Sequence, residues 1–262
     1  YLFNTYLCAP LFVPLVFEKA ISSALYAQLD TCLLKILWHA VKRLKNGVSV
    51  FNWGQRLAIS SITFPAPMRK DWPTCSKWII GFSDITIFHS YLYTQLHTAS
   101  IHGPMANAFN NGGADGLYVP SLRKALTGKA SNFKIPAHGA NKKGTATGRL
   151  LGGNLSLLAH QVGTPSDIDT KGAILFIEDV GEYLYNVDRM MLQLDRAGKL
   201  KGLAALIIGG FSECKDTTPP FGSSIEHILT ERLSAFSFPV CFNFPVSHQE
   251  DNVALQVGMT YE

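Results

Sequence analysis

A chain of 262 residues with 47% hydrophobic and 16% charged side chains can bury a large core, which excludes a disordered or coiled-coil protein and leaves one or two globular domains. The formal charge of +4 is small for that length, and Lys42, Arg43, Lys45, Lys142 and Lys143 form only short basic clusters without interleaved aromatics, so no nucleic-acid surface is expected. Five cysteines, at 8, 32, 75, 214 and 241, without any Cys-x-x-Cys pair argue against a disulfide framework and a zinc site, and for a reducing cytoplasm.

Residues 1–17 are strongly apolar, but Pro10 and Pro14 interrupt them and no basic residue precedes them, so neither a membrane-spanning helix nor an ordinary signal peptide is expected. The first residue is Tyr1, and an upstream piece is expected. From Asp30 to Lys45 the residues Leu33, Leu34, Ile36, Leu37, Val41 and Leu44 recur at helical spacing, with Asp30 as cap and Gly47 as stop. Pro65, Pro67 and Pro73 break any period between 48 and 76, and no element is assigned there. An apolar strand, Trp78-Ile79-Ile80, then stops at Gly81-Phe82-Ser83-Asp84, and a helix face follows in Ile85, Phe88, Tyr91 and Leu92. With the turn signal at Ile101-His102-Gly103-Pro104, this reads as a β-α-β-like unit.

Residues 106–145, with Asn110-Asn111-Gly112-Gly113, read as a long connection and a domain boundary. Beyond it strand and helix alternate: a helix from Asn154 to Val162 stopped by Gly163, a buried strand from Ala173 to Ile177, and a helix from Val187 to Ala197 stopped by Gly198. A strand from Leu203 to Ile208 follows, then a helix carrying Ile225, Ile228, Leu229 and Leu233 with Ser223 and Glu226 as a capping box, and a short strand from Val240 to Phe242. The class is α/β.

A serine between a strand and a helix places its hydroxyl at the strand's carboxyl end, which suits a nucleophile, although Ser83 can equally serve as a helix cap. The Gly-x-Ser-x-Gly pattern is not met. Two further runs sit where α/β enzymes place working residues, Phe176 to Glu182 and Phe244 to Asn252, each after an apolar strand. Gly152-Gly153-Asn154 before a helix can present N–H groups to an anion such as a peptide carboxylate, or form a tight turn with Asn154 as cap. Arg149 and Arg189 are candidates for binding a carboxylate bidentately.

Five blocks together resemble the LD-carboxypeptidase family, serine peptidases that trim murein tetrapeptides and include the microcin C self-immunity peptidases. They are Gly81 to Thr86, His102-Gly103-Pro104-Met105, Gly148 to Ser156, Glu178 to Glu182 with Asp188-Arg189-Met190, and Pro245 to Asn252. The resemblance implies a catalytic triad of Ser83, Glu178 and His248, with Glu182 as the alternative carboxylate, and the Asp84 backbone N–H as an oxyanion donor. A histidine takes the serine proton and a carboxylate fixes its tautomer. Gly153, Asn154 and Arg149 are, on their own chemistry, the candidate substrate-binding residues, and a cytoplasmic protein with no nucleic-acid or membrane partner is expected. The triad chemistry needs no metal or cofactor, and the resemblance suggests a homodimer. The implied architecture is an N-terminal parallel-sheet, flavodoxin-like domain with the nucleophile elbow over 1–106, a linker over 107–144, and a C-terminal α/β domain with a mixed sheet over 145–262.

The chain departs from the family in two places. No Gly-Gly loop precedes Ser83, so an oxyanion donor and a few dozen residues before Lys77 are expected to be missing, from a disrupted or fragmentary reading frame, and the end at Glu262 reads as short. Losing one such donor costs about a hundred- to a thousand-fold in rate. Ser247 stands where the family usually has glycine. Three functions follow: release of D-alanine from murein tetrapeptide, a catalytically impaired peptide-binding relative, and a microcin-type amidase.

Overall fold

In the computed structural model the structure describes residues 49–50, 78–104, 118–129, 131–249 and 252–262. All belong to one compact unit, Leu44–Glu262. The helix expected from Asp30 to Lys45 lies outside the described residues, as does most of the proline-broken stretch. At the start of that stretch a short strand β1, Ser49–Val50, pairs in parallel with β2, Ile79–Gly81.

Two sheets carry the fold. In the first, β1, β2 and β3 (Ser100–His102) are parallel, and the short strand β8 (Leu255–Val257) closes the edge antiparallel to β3. In the second, β4 (Gly148–Asn154), β5 (Ile174–Val180), β6 (Ala205–Ser212) and β7 (Val240–Cys241) are parallel, with β9 (Thr260–Tyr261) antiparallel on β4. The class is therefore mixed α/β. Strand β8 belongs by sequence to the expected C-terminal segment, yet it hydrogen-bonds to the sheet of the N-terminal one.

Strands β5 and β6 open as continuous apolar runs because they are buried, as parallel strands are when helices cover them, and β4 is buried beside them from Leu150 onward. Leu150, Leu151, Leu175, Phe176, Ile177 and Leu206 are all essentially inaccessible, each worth about 1.5 to 3 kcal/mol of hydrophobic stabilisation. Helices α3 (Leu155–Gln161), α4 (Leu184–Arg196) and α5 (Ile225–Leu233) pack side by side and bury Leu158, Met191, Ile228 and Leu233 in the same core. The cap of α5 is Ser224, whose hydroxyl accepts the His227 N–H, and not Ser223, whose buried hydroxyl has no partner among the described residues.

Within residues 107–144, expected to be a linker, lies helix α2, Tyr118–Leu126. Leu122 and Ala125 pack with Ile80, Ile101 and Ala254 into a second core under the first sheet. Its Pro120 sits in the first turn, where a missing N–H costs nothing. Helix α1, Thr86–Leu96, leaves the end of β2 through a 3-10 turn, Ser83–Ile85, and packs against β4 and α3, joining the two sheets.

Candidate active site

Ser83 occupies the turn between β2 and α1. Phe82 before it is extended, and Ser83 itself has φ of 57°, in the left-handed region that a non-glycine residue occupies only under constraint. The N-cap positions of the 3-10 turn and of α1 are Phe82 and Ile85, so Ser83 stands at neither of them. Gly81 leaves room for the turn to close, because a Cβ there would lie 2.6 Å from Ile85 Cγ1.

Glu178 lies on β5 at a β-bulge. Ile177 pairs with Ile208 and Asp179 with Phe211, so the single residue Glu178 opposes Gly209 and Gly210 of β6. The Phe244–His248 segment runs over this bulge, held by the Phe244 N–H to Ile208 O at 3.1 Å and the Gly210 N–H to Val246 O at 2.8 Å. A Cβ on Gly209 would sit 2.2 Å from Val246 O, so glycine is what allows the histidine segment to descend onto Glu178. Nothing in the sequence reading pointed to Gly209 and Gly210, although a Gly-Gly pair at the end of an apolar strand marks such a close approach.

These elements bring three distant side chains into one hydrogen-bonded line. His248 Nε2 is 2.9 Å from Ser83 Oγ, and His248 Nδ1 is 2.7 Å from Glu178 Oε2. A carboxylate only accepts, so Nδ1 carries a proton and Nε2 faces the serine hydroxyl as acceptor. Glu178 is fully buried and His248 partly buried. Burial lowers the His248 pKa, but the Glu178 hydrogen bond and charge, aided by Asp179 and Asp84, outweigh it and hold the imidazole above its ordinary value. Phe82 packs edge-on against the ring, with centroids 4.9 Å apart.

A second contact sets the distance between the sheets. Thr86 Oγ1 accepts the Asn154 N–H at 2.9 Å, and Gly153 at φ of 145° makes room, since a Cβ there would meet Thr86 Oγ1 at 2.3 Å. Asn154 pairs in register with Glu178. The turn that carries Ser83 is thus docked onto the strand beside the one that carries the glutamate.

The residues expected to bind substrate, Asn154, Gly153 and Arg149, lie at the two ends of β4. Asn154 is buried, its N–H goes to Thr86, its amide oxygen accepts the Leu157 N–H, and its amide nitrogen donates to Asp179 Oδ1 at 2.8 Å. It is a cap and a cross-link, and Gly153 serves the approach of Thr86. Arg149 lies near the other end of β4, five residues and so roughly 17 Å from Asn154, with its guanidinium on Gly258 O at 2.7 Å. Arg189 stacks 4.9 Å over the Tyr185 ring on α4. Glu182 accepts from Asn186 on the first turn of α4 and takes no part in the line of three.

Asp179 ties the ends of β4 and α3 to β5 by accepting from Asn154, the Ser156 N–H at 2.9 Å and its own Val180 N–H. Burial lifts its pKa to about 6, against the pull of those three donors and with help from the Glu178 charge. Asp84 follows Ser83 in the 3-10 turn. Among the described residues no group of three or more His, Cys, Asp or Glu side chains is placed to hold a metal ion, and no helix is long and apolar enough to cross a membrane.

A strand-to-helix serine in line with a histidine and a buried carboxylate, at the carboxyl ends of parallel strands, is the arrangement of a serine hydrolase of α/β class. Two family models then match the chain, the LD-carboxypeptidase N-terminal domain over residues 61–103 and the LD-carboxypeptidase C-terminal domain over residues 147–262. Together they cover more than half of the sequence, and the chain belongs to the LD-carboxypeptidase family.

Among curated relatives, the murein tetrapeptide carboxypeptidase of Pseudomonas aeruginosa is 30% identical over 70% of this chain and 61% of its own length. Among solved structures, muramoyltetrapeptide carboxypeptidase from Oxalobacter formigenes matches with a TM-score of 0.64 and 36% identity, over 70% of this chain and 63% of that one. Microcin C7 self immunity protein MccF matches with a TM-score of 0.63 at 23% identity, over 73% of this chain and 66% of that one, a likeness of fold. The chain spans about three fifths of the length of the curated relatives it matches.

Proposed function

We propose that this protein is a serine-type LD-carboxypeptidase that releases terminal D-alanine from murein tetrapeptide. The observation that carries the reading is the line from Ser83 Oγ through the His248 ring to Glu178 Oε2, at 2.9 and 2.7 Å. The substrate class follows the names of the relatives at 30% and 36% identity.

In this reading Ser83 Oγ attacks the carbonyl carbon of the L,D bond as its proton passes to His248 Nε2. Glu178 holds Nδ1–H and steadies the imidazolium, while the Asp84 N–H donates to the oxyanion. His248 then gives the proton to the departing D-alanine amine, and a water activated by the same ring hydrolyses the acyl-serine. The Gly-Gly loop expected to be missing would fall within residues 51–77, outside the described residues. The same reading takes residues up to 106 as a flavodoxin-like nucleophile domain, residues from 145 as the domain contributing glutamate and histidine, and a homodimer in the cytoplasm, the last checked by light scattering on the purified protein.

The test is D-alanine release from L-Ala-γ-D-Glu-meso-diaminopimelate-D-Ala by the wild type and by Ser83→Ala. Release that falls by roughly a million-fold in the variant supports the assignment. No release from folded wild-type protein overturns it and favours a peptide-binding role without catalysis.

A further inference from the structure

His89 has no part in the mechanism, yet it is completely buried on α1 six residues beyond Ser83. Its ring spans two strands. Nε2 lies 3.0 Å from Gly81 O on β2, and Nδ1 lies 2.8 Å from Ser100 Oγ on β3. A carbonyl oxygen only accepts, so Nε2 carries the hydrogen, and Nδ1 accepts from the Ser100 hydroxyl. The partners therefore fix one neutral tautomer. Burial supports that state by pushing the His89 pKa down to about 4, against the pull of Gly81 O.

Gly81 O accepts a second hydrogen bond, from the Gly103 N–H at 3.1 Å. The last carbonyl of β2 is thus gripped from the neighbouring strand and from the helix that follows, two residues before the φ of 57° at Ser83. A backbone held in a sparsely populated region persists only when its surroundings over-determine it. An apolar side chain would fill the same space without a desolvation cost, so packing alone does not account for an imidazole here.

We infer that His89 is the positioning residue of the nucleophile turn: a neutral imidazole strut from Ser100 to Gly81 O that keeps Ser83 Oγ within reach of His248 Nε2. The inference rests on the reading of Ser83 as the nucleophile. It adds a residue that touches neither substrate nor the reacting atoms and acts through the backbone of the strand end.

The test compares His89→Leu, His89→Gln and His89→Asn with the wild type, by D-alanine release and by the rate at which a fluorophosphonate labels Ser83. Gln can place an amide N–H near the Nε2 position and reach Gly81 O, whereas Asn matches only the Nδ1 side. Leu and Asn are expected to lower kcat and labelling roughly ten- to a hundred-fold with KM within about twofold, and Gln to recover most of the loss. Labelling of a folded Leu variant at the wild-type rate overturns the inference. Should Leu fail to fold, the Gln and Asn pair decides, and equal rates in the two overturn it. Labelling without D-alanine release would sink the proposed substrate and leave the strut standing. Nitrogen-15 shifts of the His89 ring give a readout independent of activity: protonation at Nε2 is expected, and protonation at Nδ1 overturns the inference even in an inactive protein.

Discussion

Two histidines share the Phe82 ring as a neighbour and end in opposite states. His248 lies 4.9 Å from it and His102 6.2 Å, centroid to centroid. His102 is fully buried, and among the described residues neither of its ring nitrogens has a hydrogen-bond partner. Burial first, and then the nearby His89, push its pKa down to about 3; the Asn252 amide alongside opposes this without reaching hydrogen-bond geometry, and His248 adds a smaller downward push. His248 is also desolvated, but Glu178 reverses the sign. Aromatic surroundings alone make an inert imidazole. A buried carboxylate on the second ring nitrogen turns the same group into a base.

Removing that carboxylate's charge breaks the contrast most severely. Glu178→Gln is expected to lower kcat roughly ten-thousand-fold, because a neutral amide neither fixes the tautomer nor steadies the imidazolium. The neutral ring is the active base, so kcat/KM of the wild type rises with pH through a midpoint above the ordinary 6.5. In the variant the raising influence of Glu178 is lost while desolvation remains, so the acid limb moves to lower pH. A pH–rate profile whose limb stays in place would show that Glu178 does not set the basicity of His248.

The reach of the sequence follows the same division between local and distant causes. Strands β5 and β6 were legible because burial on both faces leaves continuous apolar runs, and Ser83 because a strand stops and a helix starts on either side of it, whereas β4 was not, since Leu150 and Leu151 are its only apolar side chains. Helix α2 was not, since it sits beside a glycine-rich stretch and buries few apolar residues, Leu122 and Ala125 among them. The cap of α5 slipped by one residue because Ser223 and Ser224 are chemically equal, and only the backbone path decides which hydroxyl meets the His227 N–H. Gly152-Gly153-Asn154 offered an anion cradle or a turn with equal force. The decision belongs to Thr86, 68 positions away in sequence, which takes the Asn154 N–H. Edge strand β8 is three residues long, too short for any period to declare.

The docking of the two sheets gives the next largest effect. Gly153→Ala would put a Cβ 2.3 Å from Thr86 Oγ1 and hold alanine at φ of 145°, so a loss of about 3 kcal/mol is expected from strain and displaced packing. Thr86 is three residues beyond Ser83, so labelling of Ser83 should fall further than the loss of folded protein accounts for. Urea denaturation and labelling on the same samples separate the two. Unchanged labelling at reduced stability would show that the nucleophile turn is set by its own sheet alone, without the contact to β4.

The smallest expected effect concerns the histidine that stays neutral. His102 has a folded pKa of about 3 against 6.5 when unfolded, so below pH 6.5 the unfolded chain binds a proton that the folded one refuses. Stability from this group is complete above pH 6.5 and declines as pH falls toward 3. Asp179 acts in the opposite sense: its folded pKa of about 6 exceeds the unfolded 3.8, so folding gains as pH falls between those values. His89, held near 4, has the sign of His102. Replacing His102 with Phe removes one of the two acid-labile terms, so the stability difference between His102→Phe and wild type should shift by about 2 kcal/mol in favour of the variant between pH 7 and pH 5. Urea midpoints at the two pH values measure it. A difference independent of pH would mean that His102 finds a partner for its proton inside the folded protein, and the contrast with His248 would then be one of degree.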